Sequence, residues 1–201
     1  MISPLLANIY LHEVDRQWRQ STCGTRLVRY ADDMVLLARS KRAAEVALAR
    51  LQGQLDDLSV QINADKSRLT TARDGFEFLG FGFRTRKGRL YLLPRAKAVK
   101  TIAMKAREAV RSVPSSGRLV DVVKRVNPVL IGWCTYFRVG HCNRVFHKVD
   151  YMVRSEVQLW LRSKHRIPWP TAKVRWSYRT LHERYRLYRM VGKVSHLEAL
   201  A

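Results

Sequence analysis

The stretch RLVRYADDMVLLA, residues 26–38, places two short runs of β-prone residues on either side of an Ala-Asp-Asp tripeptide. The runs, Arg26–Tyr30 and Met34–Ala38, are rich in the branched and aromatic side chains that favour strands. Small and acidic residues between two such runs are typical of a tight connection. The stretch therefore predicts an antiparallel hairpin with Ala31-Asp32-Asp33 at its tip.

Further helices and strands are predicted on both sides of this hairpin. Apolar residues at helical spacing predict helices at 4–19, 41–58, 95–112, 119–138 and 143–164, with Ser40 as the cap of the second helix. Extended segments are predicted at 60–62, 67–72, 76–83 and 90–93. The mixture indicates an α+β protein, with helices and a small antiparallel sheet over 1–93 and an all-α helical bundle over 94–201.

Charge divides the chain at the same place. Residues 1–83 carry 11 basic and 10 acidic side chains, whereas residues 84–201 carry 27 basic and 6 acidic ones. A strongly basic half interleaved with tryptophan and tyrosine suits phosphate contact and base stacking, so we predict a nucleic-acid partner. A generically soluble basic domain is the alternative interpretation.

Several classes of protein are disfavoured by composition. No run approaches the ~20 consecutive apolar residues of a membrane span, and the first residues lack the layout of a secretory signal. The three cysteines, Cys23, Cys134 and Cys142, form no CxxC pair and predict free thiols in a reducing compartment. His141, Cys142 and His147 lack a second ligand pair at zinc-finger spacing. We therefore expect a cytoplasmic protein without a membrane partner.

The two adjacent aspartates of the hairpin are the candidate catalytic group. A carboxylate pair in an apolar setting is costly unless a cation compensates it, which makes Asp32 and Asp33 a candidate Mg²⁺ site. Successive strand residues face opposite sides, so Asp32 is the expected ligand and Asp33 is secondary. The alternative is an exposed hairpin with aspartates in its turn.

Four blocks of sequence resemble those of reverse transcriptases. Tyr30-Ala31-Asp32-Asp33 resembles the YADD box, and residues 2–11 (ISPLLANIYL) resemble the preceding block, which helps to shape the template and nucleotide pocket. Residues 62–67 (INADKS) resemble the block whose lysine lies near the incoming nucleotide, and Phe78–Phe81 resembles the primer grip. Four blocks in the family's order are far more specific than one Asp-Asp pair.

The resemblance implies a part of the polymerase palm in which Asp32 and Asp33 are catalytic metal ligands and Mg²⁺ is the cofactor. It also implies that Lys66 assists the departure of pyrophosphate as a proton donor or a positive charge. Within these blocks, the residues expected to contact nucleic acid or nucleotide are Ser3, Pro4, Asn8, Tyr30, Leu79 and Gly80.

The second half resembles a narrower group. Residues 126–138 (VNPVLIGWCTYFR) are similar to the signature of the maturase thumb of group II intron-encoded reverse transcriptases, and the likeness continues to about residue 170. It implies an RNA-directed DNA polymerase whose thumb binds intron RNA, and whose other partner is an RNA template with a DNA primer. The spacing of Leu130, Trp133 and Phe137 predicts helix-packing core. The RNA contacts are expected from Arg138, Arg144, Lys148 and Arg154.

The chain departs from the family at its N-terminal side. The fingers, and the palm strand that supplies the other essential aspartate, precede the block at residue 2 in the family. We therefore expect an N-terminally truncated fragment. Because a two-metal site needs carboxylates from both strands, we expect this fragment to polymerise only together with a complementing fragment. The alternative function is a non-enzymatic, maturase-like RNA-binding protein or an inactive remnant.

Overall fold

The computed structural model describes residues 2–20 and 24–195. The chain divides into two compact units, Met1–Leu79 and Gly80–Ala201. Helices and small antiparallel sheets make up the described residues, which confirms the α+β prediction. No helix in the described ranges combines the length and the apolar character needed to cross a membrane.

The first unit contains helices α1 and α2, the hairpin β1–β2, a third helix α3 and a short strand β3. Their bounds are Ser3–Tyr10 for α1, His12–Arg19 for α2, Arg26–Tyr30 for β1, Asp33–Leu37 for β2, Lys41–Asp56 for α3 and Phe76–Phe78 for β3. Ser40 caps α3 as predicted, since its hydroxyl oxygen accepts the Ala43 N–H at 3.2 Å. The single helix predicted over 4–19 is wrong, because the chain leaves helical geometry at Leu11 (φ −90°, ψ 4°).

The break at Leu11 separates a buried helix from an exposed one. Leu11, Val14 and Trp18 lie in a core with Ala47, Leu51 and Leu55 of α3. In α1, by contrast, Leu5, Leu6 and Ile9 are 61%, 58% and 66% exposed. The short helix therefore contributes little to this core.

The extended segments predicted at 60–62 and 67–72 are not strands in the structure. Asn63 instead starts a turn in which its side-chain oxygen accepts the Lys66 N–H at 3.2 Å. Thr71 bonds Asp74 at 2.6 Å in a second turn. Such local side-chain bonds offer the backbone an alternative to a strand ladder.

The second unit begins with an antiparallel hairpin and continues as a helical bundle. Its elements are β4 Phe81–Arg86, β5 Arg89–Pro94, α4 Ala96–Arg111, α5 Leu119–Phe137, α6 Asn143–His165, α7 Trp169–Arg175 and a π-helix over Thr180–Arg184. The three long helices agree with the predicted ranges to within one residue at each end. Alpha-helix α7 and the π-helix were not predicted.

The hairpin β4–β5 packs within the second unit, although the sequence assigned it to a domain over 1–93. The Phe81 ring centroid lies 4.8 Å from that of Phe137. His141 donates its N–H to the Leu92 carbonyl at 2.8 Å. A Cβ at Gly140 would lie 2.7 Å from that carbonyl oxygen, so only glycine allows this approach. The structural division consequently falls after Leu79, before the hairpin.

The core of the second unit lies between α4, α5 and α6. Phe146, Leu130, Val126 and Val149 are fully buried there. Cys134 and Cys142 are buried free thiols, and burial raises the pKa of Cys142 to about 11. Cys23, the third predicted free thiol, lies outside the described residues.

Candidate catalytic hairpin and nucleic-acid surface

The acidic pair lies at the tip of β1–β2, as the sequence predicted. Tyr30 pairs with Asp33 across the ladder, so Ala31 and Asp32 form a two-residue turn. Ala31 has a φ of 53°, a left-handed conformation that costs a residue with a Cβ about 1 kcal/mol. The turn thus carries modest strain directly before Asp32.

Both aspartates are exposed, which corrects the argument from a buried carboxylate pair. Within the described ranges, neither the Asp32 nor the Asp33 side chain forms a hydrogen bond or an ion pair, so both carboxylates are open to solvent. Carboxylate oxygens are the donors that Mg²⁺ prefers, usually one or two of them together with phosphates. Within those ranges no group of three or more His, Cys, Asp or Glu side chains could hold a metal. The pair fits a partial site for a hard divalent cation.

Arg29 ties the hairpin tip to the two preceding helices. Its Nε donates to both carboxylate oxygens of Asp15, at 3.0 and 3.1 Å, and its Nη2 forms an ion pair with the same group. Its Nη1 donates to the Ala31 carbonyl at 2.8 Å and to Asn8 Oδ1 at 2.9 Å. One guanidinium therefore joins α1, α2 and the turn that carries Asp32.

Sequence reasoning missed this clamp. The signal was an arginine at the inward-facing position of an apolar strand, since Leu27 and Arg29 are the less exposed residues of β1. A cation on that side needs a partner carboxylate. Asp15, 14 positions earlier in the chain, supplies it.

We expect Arg29→Met to lower the free energy of unfolding of the first unit by about 2 to 4 kcal/mol. The Arg29 side chain is 9% exposed and that of Asp15 is 21% exposed. Loss of the Arg29 guanidinium therefore leaves the half-buried Asp15 carboxylate without its partner. Urea denaturation followed by the fluorescence of Trp18, with the second-unit tryptophans replaced by Phe, measures the change.

Arg26→Met is the matched control, because Arg26 lies on the same strand but on its exposed side. We expect it to change stability by less than about 0.5 kcal/mol. Equal effects of the two substitutions would contradict a specific role for the Arg29 clamp.

The other residues of the first unit that were predicted to form the polymerase site lie in different elements. Lys66 is exposed in the turn that follows Asn63, and the structure describes no contact between it and the hairpin. Pro4 is exposed in the first turn of α1, and the side chain of Ser3 lies outside the described residues. Asn8 contacts Arg29, whereas Tyr30 is 65% exposed.

Leu79 and Gly80 mark the end of the first unit and the beginning of the second. Both have a positive φ, 48° and 76°. The Gly80 carbonyl accepts the Arg95 N–H at 3.0 Å. In the second unit, therefore, Gly80 contacts the residue that precedes α4.

In the second unit, the predicted RNA contacts fall mainly on α6. Arg144 and Lys148 are exposed and four residues apart, so they share a face of the helix, and Arg154 lies at the edge of that face. Arg138 is exposed at the C-terminal cap of α5 and is therefore not part of this row on α6. As predicted, Leu130 and Phe137 are core residues, at 0% and 5% exposure.

The segment after α7 belongs to the same core, which sequence reasoning also missed. Trp176, Leu181, Leu187 and Met190 are buried in it. The missed signal is a repeated Tyr-Arg dipeptide, at 178–179, 185–186 and 188–189. Asp150 of α6 accepts the Met190 N–H, and burial raises the pKa of this carboxyl.

Comparison with known protein families supports the predicted resemblance in both halves of the chain. A family model described as reverse transcriptase (RNA-dependent DNA polymerase) matches residues 1–83. A second, described as group II intron, maturase-specific domain, matches residues 99–181. No curated protein matches the chain.

The two models follow one another along the chain in the order of the predicted blocks, and the resemblance is thereby confirmed. Reverse transcriptases generally use divalent metal ions, and both domains indicate RNA binding. The chain belongs to the group II intron reverse transcriptase/maturase family.

Proposed function

We propose that this chain contributes the catalytic hairpin of an RNA-directed DNA polymerase that uses Mg²⁺. The observation that carries the proposal is the exposed Asp32–Asp33 pair on a turn that Arg29 holds against two helices. Asp32 is the metal ligand and Asp33 supports it. When bound, the metal ion stabilises the charge that develops during nucleotidyl transfer.

The remaining residues of the first unit have positioning or binding roles in this proposal. Lys66 provides a positive charge or a proton to the departing pyrophosphate. Asn8 acts through Arg29, since its amide oxygen is already bonded to that side chain. The residues proposed to contact template, primer or nucleotide are Ser3, Pro4, Tyr30 and Leu79 of this unit, together with Gly80, the first residue of the second unit.

The second unit acts as the maturase thumb and binds group II intron RNA to promote splicing, while the first unit belongs to the palm. Support comes from the charge of residues 80–201, which hold 27 basic and 6 acidic side chains. Arg138, Arg144, Lys148 and Arg154 are the proposed contacts. Phosphate contacts by such side chains provide affinity that does not depend on sequence.

Primer extension tests the polymerase proposal. A two-metal site needs more carboxylates than Asp32 and Asp33 provide, so the chain is assayed alone and together with a separately expressed fingers/palm fragment. The assay uses an RNA template, a DNA primer and Mg²⁺. We expect extension by the mixture. Failure of every mixture to extend the primer would contradict the polymerase proposal.

A second candidate function is RNA binding without catalysis. The observation that favours it is that the basic unit has a hydrophobic core of its own, so its surface does not depend on the hairpin. Intron RNA binding and splicing assistance without any primer extension would support this function.

RNA binding should weaken steeply with salt. Each neutralised phosphate releases condensed counterions, so log affinity should fall linearly with log salt, by roughly 0.7 to 0.9 per contact. We expect the double variant Arg144→Gln/Lys148→Gln to reduce this slope by roughly 1.4 to 1.8. Fluorescence anisotropy with a labelled intron RNA, titrated at several salt concentrations, measures both slopes.

The control removes two exposed cations from the first unit. Lys41→Gln/Arg42→Gln makes the same change in net charge, but in the half of the chain that is nearly neutral. We expect its slope to match that of the unaltered chain. If both double variants reduce the slope equally, the RNA surface is not specific to α6.

A further inference from the structure

A cavity of about 440 Å³ lies between α6 and the segment that follows α7. We call it the α6 pocket. Its walls include His147, Asp150, Tyr151 and Arg154 from α6, and Tyr178 and Arg189 from the later segment. Pockets for single small molecules usually measure about 300 to 1,000 Å³, so this one has the size for a single nucleotide.

The far wall of the α6 pocket is fixed to the helices. The buried carboxylate of Asp150 accepts the N–H groups of Met190 and Val191, each at 3.1 Å. Asn127 of α5 accepts the Tyr188 N–H at 2.8 Å and donates to the Arg186 carbonyl at 2.9 Å. Because these bonds flank Arg189, its backbone is held in place before any ligand arrives.

The pocket combines aromatic faces with cations. The guanidinium carbon of Arg154 lies 5.3 Å from the Tyr151 ring centroid and 5.4 Å from that of Tyr178. Arg189 approaches the Tyr178 ring at 5.5 Å. Tyr151 and Tyr178 are 58% and 39% exposed, and the Tyr178 ring is backed by the His182 ring, with centroids 4.4 Å apart.

The charge of the pocket favours an anionic ligand. Neither Arg154 nor Arg189 forms an ion pair within residues 2–20 and 24–195. The one carboxylate in the wall, Asp150, is 6% exposed and occupied by backbone N–H groups. Two guanidinium groups therefore face the cavity beside aromatic surface, and arginine suits phosphate recognition through its several donors.

The geometry points to a binding site for one unpaired nucleotide of single-stranded RNA, with its phosphate on Arg154 and Arg189 and its base against Tyr178 and Tyr151. A duplex presents phosphates but keeps its base faces stacked, whereas an unpaired base is free to stack on an aromatic ring. The inference rests on the proposed RNA binding and deepens it. Arg189 lies beyond residue 181, where the match to the maturase domain ends.

A stacking probe tests the inference directly. The full chain is mixed with a single-stranded RNA that carries one 2-aminopurine, and separately with a fully paired RNA of the same length. Stacking on tyrosine should quench the probe in the single strand. We expect Tyr178→Leu to abolish the quenching and to weaken single-strand binding roughly tenfold, while duplex binding changes less than about twofold.

Matched variants separate the pocket from general effects of charge and ring removal. Arg189→Gln is compared with Arg184→Gln, since Arg184 also lies over a tyrosine, 5.7 Å from the Tyr185 centroid, but outside the pocket. We expect the loss of single-strand affinity with Arg189→Gln to be several times larger. Tyr151→Leu, at the more exposed ring, repeats the stacking test if Tyr178→Leu fails to fold.

The outcomes distinguish a failure of RNA binding from a failure of the α6 pocket. If the unaltered chain binds neither RNA, the proposed RNA binding fails. The chain could instead bind RNA while Tyr178→Leu, Tyr151→Leu and Arg189→Gln all keep the single-strand affinity of Arg184→Gln. In that case RNA binding stands, and the α6 pocket is not the nucleotide site. Selective loss of quenching and single-strand affinity supports the pocket.

Discussion

Asp32→Ala should abolish primer extension by the complemented polymerase, with a loss of about 1,000-fold or more in rate. A metal ion provides several kcal/mol of transition-state stabilisation, and each ~1.4 kcal/mol is worth tenfold in rate. Removing the carboxylate at the hairpin tip removes the proposed metal ligand without disturbing a core, because Asp32 is exposed. Single-nucleotide extension with Mg²⁺, under conditions where RNA is saturating, measures the loss.

Two further variants serve as a control and a comparison for Asp32→Ala. Asp56→Ala removes another exposed carboxylate from the same unit, at the end of α3, and should leave extension unchanged. Asp33→Ala should reduce extension less than Asp32→Ala, because Asp33, the first residue of β2, is proposed only as the secondary ligand. RNA affinity should be the same in all three proteins. Extension that survives Asp32→Ala would exclude this hairpin as the metal site.

Phe146→Ala should lower the free energy of unfolding of the second unit by about 3 to 5 kcal/mol, the range for deleting a buried aromatic ring. Phe146 is fully buried in α6, and its ring lies 5.8 Å from that of Trp133 in an edge-on arrangement. The deleted ring leaves a cavity that the surrounding helices fill only in part. Urea denaturation followed by tryptophan fluorescence measures the change, since four of the five tryptophans lie in this unit.

Leu159→Ala is the control for Phe146→Ala. Leu159 is on the same helix but is 43% exposed, so we expect a change below about 1 kcal/mol. Phe146→Ala keeps every surface charge, so the protein that remains folded should keep the salt slope of RNA binding. A loss below about 1 kcal/mol from Phe146→Ala would show that the core packs differently from the structure described above.

The elements that could be predicted from sequence are those with a strong local pattern. The hairpin around Asp32–Asp33, the three long helices of the second unit and the Ser40 cap were predicted because periodicity and capping act over a few residues. The same local reasoning failed at Leu11 and at 67–72. In those places a break in the helix, or a side-chain turn such as that of Thr71 and Asp74, displaced the regular element.

The candidate sites were predicted only in part, for a related reason. Asp32 and the basic residues of α6 could be named from motif and charge. The prediction that Asp32 and Asp33 are buried was wrong, because the exposure of a hairpin tip depends on which other elements cover it. The partner of Arg29 and the tyrosine walls of the α6 pocket could not be found at all by spacing rules.

Residue patterns alone were enough to predict the family, the acidic hairpin, the long helices of the second unit and the basic character of the second half. Tertiary packing, and no local pattern, brings Arg29 to Asp15 and the turn, and brings Asp150 of α6 to Met190 and Val191. These contacts link residues 14 and about 40 positions apart. Their formation depends on how whole elements pack. A buried charged group needs a hydrogen-bond partner, and the packing decides which residue lies close enough to be that partner.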